Sequence, residues 1–455
     1  MSPYTFFSNS KRYNVSTSHR KINDTFPLDD TKVLHERIKK CESRSMQGQI
    51  PICWDHAKDE YIFDKNGNQW IDFTSTIFVT NIGHGNDVLK SKIQDVLDKP
   101  LIHTYAYIHE KRIDYIEALL DFANHDFEKA FLLSAGTEAT EAALKLMRLY
   151  GQSEQKQSLG ILCIDGNWHG RTLGAQMMSS NQAQKAWIGY HDPNIHHIPF
   201  PYPWVCKEED GALFFEESIQ KLEHQGFNFS TDLCGVMLET FQGWGAIFYP
   251  KSYVKAVKEF CLKYNILLTF DEMQAGFGRT GKPFGYQHYD VQPDLICIGK
   301  GMASGLPLSG VLGSNKVMDL PEVGNMSSTH SANPICCAAG LATIQELNDK
   351  NLIYESKRKG AILHQGLNDL KNEFPDIIQY VFGEGLIASL IIKDPFLNDD
   401  HLLTSKIVEE CFCNGLLLVH TGRESIKIGP PLIISDGALI EGIQVIRNAI
   451  HHVIK

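Results

Sequence analysis

Two residues have the types and the spacing for chemistry on a small ligand, namely Asp271 and Lys300, which stands 29 positions later. Asp271 follows an almost unbroken apolar run at 266–270, and Lys300 lies between two glycines just after a second run at 295–298. Short apolar runs of this kind are typical of strands buried on both faces of a parallel sheet. In open α/β sheets ligands bind beyond the carboxyl ends of the strands, so we expect this carboxylate and this amine to face one small molecule.

The chemistry that such a pair allows is that of pyridoxal phosphate. A partly desolvated lysine amine can form a Schiff base, and flanking glycines let the backbone come close to a ligand. A carboxylate can keep the pyridine nitrogen of the cofactor protonated, and the protonated ring can then accept electrons from the substrate. The pair alone is weak evidence, because an Asp at a strand end is more often a turn or helix cap and Gly-Lys-Gly is more often a surface turn.

The composition excludes several classes of protein. A length of 455 residues suffices for two or three packed units, and 43% hydrophobic with 21% charged residues is ordinary for a globular protein. The net charge of −11, without a basic stripe, argues against nucleic acid or an anionic membrane as partner. The eleven cysteines contain no CxxC pair, which predicts reduced thiols with neither a disulfide frame nor a metal site. We find no signal peptide and no membrane-spanning run, so we expect a cytoplasmic protein.

Alternating strands and helices are predicted to position the two residues. The helix at 138–150 is expected to present one buried face and to end at Gly151. Strand, helix and strand follow one another at the spacing of a βαβ crossover, so the fold class is α/β with a mainly parallel sheet and right-handed connections. The predicted strands are 130–133, 160–164, 233–239, 266–270 and 295–298, and a further predicted helix is 251–264.

Two loops at strand ends hold further candidate residues. Gly136 and Thr137 stand at the start of a helix, where free N–H groups and the positive end of the dipole form a natural seat for a phosphate. Any turn between a strand and a helix can look like this, so the signal is weak. The other loop carries Trp168, His169 and Arg171, which offer a flat apolar face, a proton-handling ring and an anion clamp. A surface loop with a half-buried Trp explains His169 equally well.

The rest of the chain is predicted to form an extension and a second domain. Residues 1–30 are polar and weakly patterned, and we interpret them as an N-terminal extension. Residues 31–85 contain an Asn-Gly turn between two strand-like runs and are assigned to the N-terminal part of a small domain. Residues 86–335 are assigned to a large cofactor-binding domain, and residues 336–455 to the C-terminal part of the small domain.

These pieces, in this order, resemble the class III aminotransferases, the ω-aminotransferase branch of the fold-type I pyridoxal phosphate enzymes. The most specific element is the segment 271–281, Asp-Glu-Met-Gln-Ala-Gly-Phe-Gly-Arg-Thr-Gly, with Lys300 at the stated distance. The likeness covers roughly residues 35–450. The resemblance implies a large domain with a mainly parallel seven-stranded sheet and a smaller α+β domain.

The resemblance also implies roles for individual residues. Lys300 would carry pyridoxal 5'-phosphate as a Schiff base, Asp271 would pair with the pyridine nitrogen, and Gln274 would contact the ring hydroxyl. The other implied cofactor contacts are Gly136 and Thr137 at the phosphate, Trp168 stacked on the ring where relatives usually carry Phe or Tyr, Glu239, and Thr329, which would reach the phosphate of the neighbouring subunit. The last contact implies an obligate homodimer with active sites at the subunit interface.

Two positions depart from the pattern of relatives that use glutamate as amino donor. Those relatives often carry Glu-Pro-x-Gln-Gly-Glu, whose last Glu pairs with an Arg that receives the substrate's carboxylate. Here the segment 239–244 lacks the proline and ends in Trp244, and Lys427 stands at the Arg position, although lysine cannot reproduce a bidentate clamp. We therefore expect an absent or altered glutamate switch and a more aromatic substrate pocket. The candidate substrate residues are Arg171, as a possible anion contact, Trp244 and Lys427.

The predicted activity moves an amino group from an amine or amino acid donor to an aldehyde or ketone acceptor. It runs through the Lys300 Schiff base in two ping-pong half-reactions. The first alternative keeps the cofactor and changes the outcome, as in an amino acid epimerase, a decarboxylase, an aminomutase or a phospho-lyase. A binding protein without chemistry is disfavoured because Lys300 and Asp271 are both present, and a nucleotide-binding oxidoreductase because no G-x-G-x-x-G follows an early strand.

Overall fold

A computed structural model describes residues 10–46, 50, 52–393, 400–421 and 423–455. The strands of this part of the chain are β1 (Lys11–Ser16), β2 (Lys21–Phe26), β3 (His56–Lys58), β4 (Tyr61–Phe63), β5 (Gln69–Asp72), β6 (Lys129–Leu133), β7 (Gly160–Ile164), β8 (Ile195–Ile198), β9 (Leu233–Glu239), β10 (Phe241–Gln242), β11 (Ile247–Phe248), β12 (Leu267–Asp271), β13 (Leu295–Ile298), β14 (Ser309–Gly313), β15 (Ile378–Glu384), β16 (Ile387–Ile392), β17 (Leu416–Leu417), β18 (Val419–His420) and β19 (Ser425–Ile428).

The helices are α1 (Asp29–Ile38), α2 (Ser75–Phe78), α3 (Asp87–Leu97), α4 (Glu110–Phe122), α5 (Gly136–Ser153), α6 (Leu173–Met178), α7 (Gln182–Lys185), α8 (Gly211–His224), α9 (Phe229–Asp232), α10 (Lys251–Tyr264), α11 (Asn315–Met318), α12 (Pro334–Asp349), α13 (Leu352–Glu373), α14 (Asp400–Cys413) and α15 (Asp436–Val453). The chain divides into two compact units. The central unit comprises Asp87–Gly243 and Ile247–Ile353, and the terminal unit comprises the chain up to Asn86, Trp244–Ala246 and Tyr354–Lys455.

A seven-stranded sheet forms the middle of the central unit, in the order β6-β14-β13-β12-β9-β7-β8. Strand β14 is antiparallel to both of its neighbours, and the other pairs are parallel. The mainly parallel sheet predicted from the sequence is therefore confirmed. The register places Asp271, the last residue of β12, beside Glu239, the last residue of β9.

Helix α5 covers part of this sheet with the predicted face. Its residues Ala139, Ala143 and Leu146 are fully buried, as expected from their spacing. The prediction that the helix ends at Gly151 is wrong, because α5 continues to Ser153. Gly151 instead allows close packing on β9, since a Cβ atom there would lie 2.5 Å from the Cβ of Cys234.

Two sheets belong to the terminal unit. The first has the order β1-β2-β5-β4-β3, with β17 paired in parallel to β5, and the second has the order β15-β16-β19-β18. Strands β4 and β5 form the antiparallel pair predicted from the Asn-Gly turn signal. The described part of the predicted N-terminal extension contains β1 and β2, which pair antiparallel to each other.

Two further expectations concern the state of the cysteines and the presence of membrane-spanning helices. All eleven cysteines are free thiols, and nine of them are buried, as expected for reduced apolar side chains. Among the helices of the described ranges, none combines the length and the apolar character needed to span a bilayer.

Candidate active site

A pocket in the central unit collects most of the predicted cofactor residues. Its cavity volume is about 80 Å³, and it lies where β9 and β12 end. Its lining includes Gly136, Thr137, Trp168, His169, Gly170, Glu239, Asp271, Met273, Gln274 and Lys300. Arg171 and Thr329 lie outside this lining, and Trp244 and Lys427 belong to the terminal unit.

Asp271 is held on both of its carboxylate oxygens. Its Oδ1 accepts the backbone N–H of Met273 at 3.0 Å, and its Oδ2 lies 2.9 Å from Nδ1 of His169. An ionised carboxylate only accepts hydrogen bonds, so Nδ1 of His169 is the donor and carries the ring proton. His169 is itself anchored, because its backbone N–H donates to Ser179 Oγ at 2.8 Å and its carbonyl accepts from Thr140 Oγ1 at 2.7 Å. His169 therefore orients the carboxylate of Asp271.

Glu239 connects strand β9 to the loop that carries Trp168. Its Oε2 accepts the backbone N–H of Trp168 at 3.0 Å and that of Gly243 at 3.2 Å. Burial raises the pKa of the Glu239 carboxyl to about 7, against the opposing effect of His169. The carboxyl group is thus poised to change its protonation near neutral pH.

Lys300 has an amine enclosed by protein and a strained backbone. Burial lowers the pKa of its amine, while the carboxylates of Asp271 and Glu239 act in the opposite direction. Its φ of +43° lies in the left-handed region, which a residue with a side chain rarely adopts and which is common at functional sites. Gly299 precedes Lys300, and a Cβ atom at Gly299 would lie 2.6 Å from Sδ of Met273. The lowered pKa favours the neutral, nucleophilic amine.

The start of helix α5 provides donors for an anion. The first N–H groups of a helix have no partner within it, and they carry the positive end of the dipole. Glu138 takes the two preceding N–H groups, since its Oε2 accepts from Ser134 at 2.9 Å and from Ala135 at 3.0 Å. Gly136 and Thr137 are the first two residues of the helix, and both line the pocket.

Trp168 and Gln274 complete the pocket wall. The guanidinium carbon of Arg171 lies 4.6 Å from the centre of the Trp168 ring, so this Arg stacks on the indole. Gly243 leaves room for Gln274 and Glu239, because a Cβ atom there would lie 2.4 Å from Nε2 of Gln274 and 2.5 Å from Oε1 of Glu239. The ends of the Gln274 and Glu239 side chains thus both lie close to the backbone of Gly243.

The remaining predicted residues have other surroundings. Lys427 is 1% exposed, and its Nζ lies 4.7 Å from the centre of the Phe78 ring within the terminal unit. Trp244 in the same unit lies under Arg423, whose guanidinium carbon is 5.2 Å from the ring centre. Thr329 is exposed, and its carbonyl lies 2.7 Å from Nε2 of His103 in the central unit.

Six residues of the pocket lining were not among the predicted cofactor contacts, and two of them, His169 and Met273, are hydrogen-bonded to Asp271. The sequence left the role of His169 open, and Met273 received no role although it follows Asp271 closely. The sheet order explains why both belong here, because β7, β9 and β12 are neighbours. The loop after β7 must therefore meet the last residues of the other two strands. The sequence indicates where the strands lie along the chain, but it does not show which strands are neighbours in the sheet. Without the strand order, the sequence could not place these residues beside Asp271.

The pocket and the sheet define a fold-type I pyridoxal phosphate enzyme. The class-III aminotransferase family matches residues 43–450, and the chain belongs to that family. It is 30% identical over 412 residues to an acetylornithine aminotransferase from Synechocystis sp., covering 89% of this chain and 90% of that protein. It is 29% identical over 437 residues to an isoleucine 2-epimerase from Lentilactobacillus buchneri, covering 93% and 95%.

A solved structure agrees with the fold and names the cofactor. A pyridoxal phosphate-bound amine transaminase from an uncultivated Pseudomonas species has a TM-score of 0.78 and 25% sequence identity, covering 90% of this chain and 96% of that one. The present residues fit the same cofactor, because an enclosed amine, a fixed carboxylate, an indole and a helix N-terminus line one pocket. The protein is a pyridoxal phosphate-dependent aminotransferase.

Proposed function

We propose that Lys300 is the residue that bonds the cofactor and moves the proton in both half-reactions. The observation that carries this proposal is an enclosed amine of lowered pKa in one pocket with Asp271. When bound, the cofactor supplies an electron sink for charge that develops on the substrate carbon. Nζ of Lys300 would accept the proton of the donor's amine-bearing carbon in the first half-reaction and would supply a proton to the acceptor carbon in the second, and its lowered pKa favours the proton-accepting form.

The other pocket residues would hold and orient the cofactor. Asp271 keeps a proton on the pyridine nitrogen, and His169 keeps the Asp271 carboxylate in place. Gln274 contacts the ring hydroxyl and Trp168 covers the ring face. Gly136 and Thr137 bind the phosphate through the start of α5, and Glu239 holds the Trp168 loop against β9. The hydrogen bonds to Asp271 and Glu239 support these roles.

We also propose that Lys427, which stands where many relatives have an Arg, does not bind the carboxylate of the substrate. Two observations in the terminal unit support this proposal: Lys427 is buried with its ammonium against Phe78, and Trp244 replaces the switching Glu. Arg171, which stacks on Trp168 in the central unit, remains the proposed anion contact of the substrate, and the substrate role of Trp244 stays a prediction. Acetylornithine, the compound in the name of one relative, is a donor to test first.

We propose a homodimer in which Thr329 reaches the phosphate of the neighbouring subunit. An exposed apolar segment supports this proposal, since Tyr107 and Ile108 are 80% and 90% exposed. This segment is tied to the Thr329 region, because Asn333 Nδ2 donates to the carbonyl of Ile102 at 2.7 Å. The cytoplasmic location and the division at 1–30, 31–85, 86–335 and 336–455 stay predictions.

Light scattering after gel filtration tests the dimer. Ile108→Asp places a charge in the exposed segment, and we expect a monomer that retains the cofactor poorly. Leu262→Asp is the matched control, because Leu262 is also exposed, at 68%, but lies on α10. A dimeric Ile108→Asp protein would exclude this segment as the interface.

An absorbance spectrum tests the role of Lys300. We expect a visible band in the wild type that is lost in Lys300→Ala and kept in Lys185→Ala, which removes another lysine whose pKa burial lowers. Amino donors should bleach this band during transamination. If a band persists while products still form, the epimerase outcome replaces transamination, and a protein that takes up no cofactor would overturn the proposal.

A further inference from the structure

A chain of hydrogen bonds leads from the phosphate seat to a carboxylate. Oγ1 of Thr137 lies 2.6 Å from Oγ1 of Thr172, and that atom lies 2.5 Å from Oε1 of Glu141. Oε1 of Glu141 also accepts the backbone N–H groups of Gly174 at 2.8 Å and Ala175 at 3.2 Å. Glu141 on α5 is thereby fixed at the start of α6, and Thr172 is the link between Glu141 and Thr137.

Glu141, at the end of this series of hydrogen bonds, determines the direction in which each threonine hydroxyl donates. An ionised carboxylate only accepts hydrogen bonds, so the hydroxyl proton of Thr172 points to Glu141. The hydroxyl of Thr172 already donates its one proton to Glu141. The hydrogen bond between the two threonines must therefore use the hydroxyl proton of Thr137. Thr137 therefore donates to Thr172, and its hydroxyl proton is turned away from any anion at the seat.

The loop after β7 holds Thr137 tightly from the other side. Gly170 has a φ of +141°, and a Cβ atom there would lie 2.3 Å from Oγ1 of Thr137. The backbone N–H of Thr172 also donates to Oγ1 of Thr137 at 3.3 Å. The Thr137 side chain is thus confined, so its proton can change partner by rotation about the C–O bond while the oxygen stays in place.

We propose that Thr172 and Glu141 are positioning residues that withhold the Thr137 hydroxyl proton from the phosphate until the phosphate competes for it. This inference rests on the proposed phosphate seat at Gly136 and Thr137. The backbone N–H groups of α5 make the first contact, and the Thr137 proton then turns from Thr172 to the phosphate. Oγ1 of Thr172 loses its donor in that step, so binding sacrifices one hydrogen bond.

Thr172→Val removes the competing acceptor and keeps the shape of the side chain. We expect the dissociation constant of pyridoxal phosphate from the holoenzyme to fall about three- to tenfold, the range of one hydrogen bond. The ³¹P resonance of the bound phosphate should match that of the wild type, because the Thr137 hydroxyl donates to the phosphate in both holoenzymes. Thr172→Ser keeps the hydroxyl and should match the wild type in both measurements.

A double-mutant cycle separates this effect from a merely structural role of Thr172. In a Thr137→Ala background, Thr172→Val should leave the dissociation constant unchanged, because the proton in question is gone. Unchanged or weaker binding in the single variant, or the same gain in the Thr137→Ala background, would overturn the inference. A wild-type protein that binds no pyridoxal phosphate would instead refute the proposed function.

Discussion

The pocket of the central unit and the turn α2 of the terminal unit are built by different means. In the pocket, the register of two neighbouring strands brings Asp271 and Glu239 together at their last residues. In α2, the four residues Ser75–Phe78 have φ values of 44°, 52°, 67° and 66°. A left-handed backbone costs a residue with a side chain roughly 1–2 kcal/mol. Regular structure therefore places the two carboxylates of the pocket, whereas the left-handed backbone of α2, like that of Lys300, must be imposed by its surroundings.

Contacts with Gly429, far along the chain, and one local hydrogen bond impose the shape of α2. Oγ of Ser75 donates to the carbonyl of Gly429 at 2.7 Å. Gly429 leaves the space for Phe78, since a Cβ atom there would lie 2.4 Å from Cδ1 of that ring. Oδ1 of Asp72 accepts the backbone N–H of Thr74 at 2.7 Å and fixes the entry to the turn. The comparison shows that local pattern and sheet register determine where the carboxylates of the pocket lie, while long-range contacts determine the backbone conformation of α2.

The largest expected effect lies in the pocket. Asp271→Asn keeps the shape and removes the charge that holds the pyridine nitrogen protonated, so we expect kcat/KM to fall about 10²- to 10³-fold while the cofactor stays bound. Asp192→Asn is the control, because Asp192 pairs with Arg148 at 2.6 Å outside the pocket lining. Steady-state kinetics with one donor decide, and a loss of less than about tenfold would contradict the role given to Asp271.

The raised pKa of Glu239 predicts a dependence of stability on pH. The pKa of Glu239 is about 7 in the folded protein and 4.5 for an ordinary Glu, so between these two pH values the native state binds a proton that the unfolded chain has lost. The free energy of unfolding should therefore fall as pH rises from 4.5 through 7, by about 3 kcal/mol for this group.

Glu239→Gln should remove that component of the pH dependence. Chemical denaturation of the cofactor-free protein at about pH 5 and about pH 8 measures it. Glu117→Gln, at an exposed position of α4, should retain the slope of the wild type. Equal slopes in the wild type and in Glu239→Gln would show that Glu239 does not titrate in this range.

Loss of His169 should have a smaller effect than loss of the Asp271 charge. His169→Ala leaves Oδ2 of Asp271 without its side-chain donor, and we expect kcat to fall about ten- to a hundredfold with a displaced pH profile. His169→Asn restores an N–H donor near the position of Nδ1 and should recover part of the loss. If the two variants are equally impaired, the hydrogen bond to Asp271 is not what His169 contributes.

The sequence predicts the groups whose positions follow from local pattern. Asp271 and Lys300 follow buried apolar runs, and α10 has the predicted bounds, 251–264, because its amphipathic period is uninterrupted. Sheet order is not local, so the contact between His169 and Asp271 stayed open. Gly151 was misassigned because a glycine that lets a helix pack closely on a strand looks the same in sequence as a glycine that ends a helix.

The turn α2 could not be predicted for a physical reason. Thr76 and Ile77 are β-branched, and such residues favour extended backbone over the left-handed region. The groups that override this preference stand far along the chain, at Gly429. No window around α2 contains them, so local propensity points to the wrong conformation.

The smallest predicted effect tests whether α2 is strained. Ile77 has φ 67° and is 49% exposed, so removing its side chain costs little packing. Ile77→Gly should raise the free energy of unfolding by about 0.5–1 kcal/mol relative to Ile77→Ala, because glycine adopts the left-handed region without steric cost.

The same pair of substitutions at Ile440 should have the opposite sign. Ile440 is 56% exposed but lies within α15, where glycine is less stable than alanine by about 0.5–1 kcal/mol. Denaturation of the four variants under one condition gives both differences, and the unfolded-state effect of glycine is common to both sites. Opposite signs require that the backbone conformation at residue 77 is the cause. If glycine destabilises both sites equally, α2 carries no left-handed strain, and the contrast with the pocket would rest on the Gly429 contacts alone.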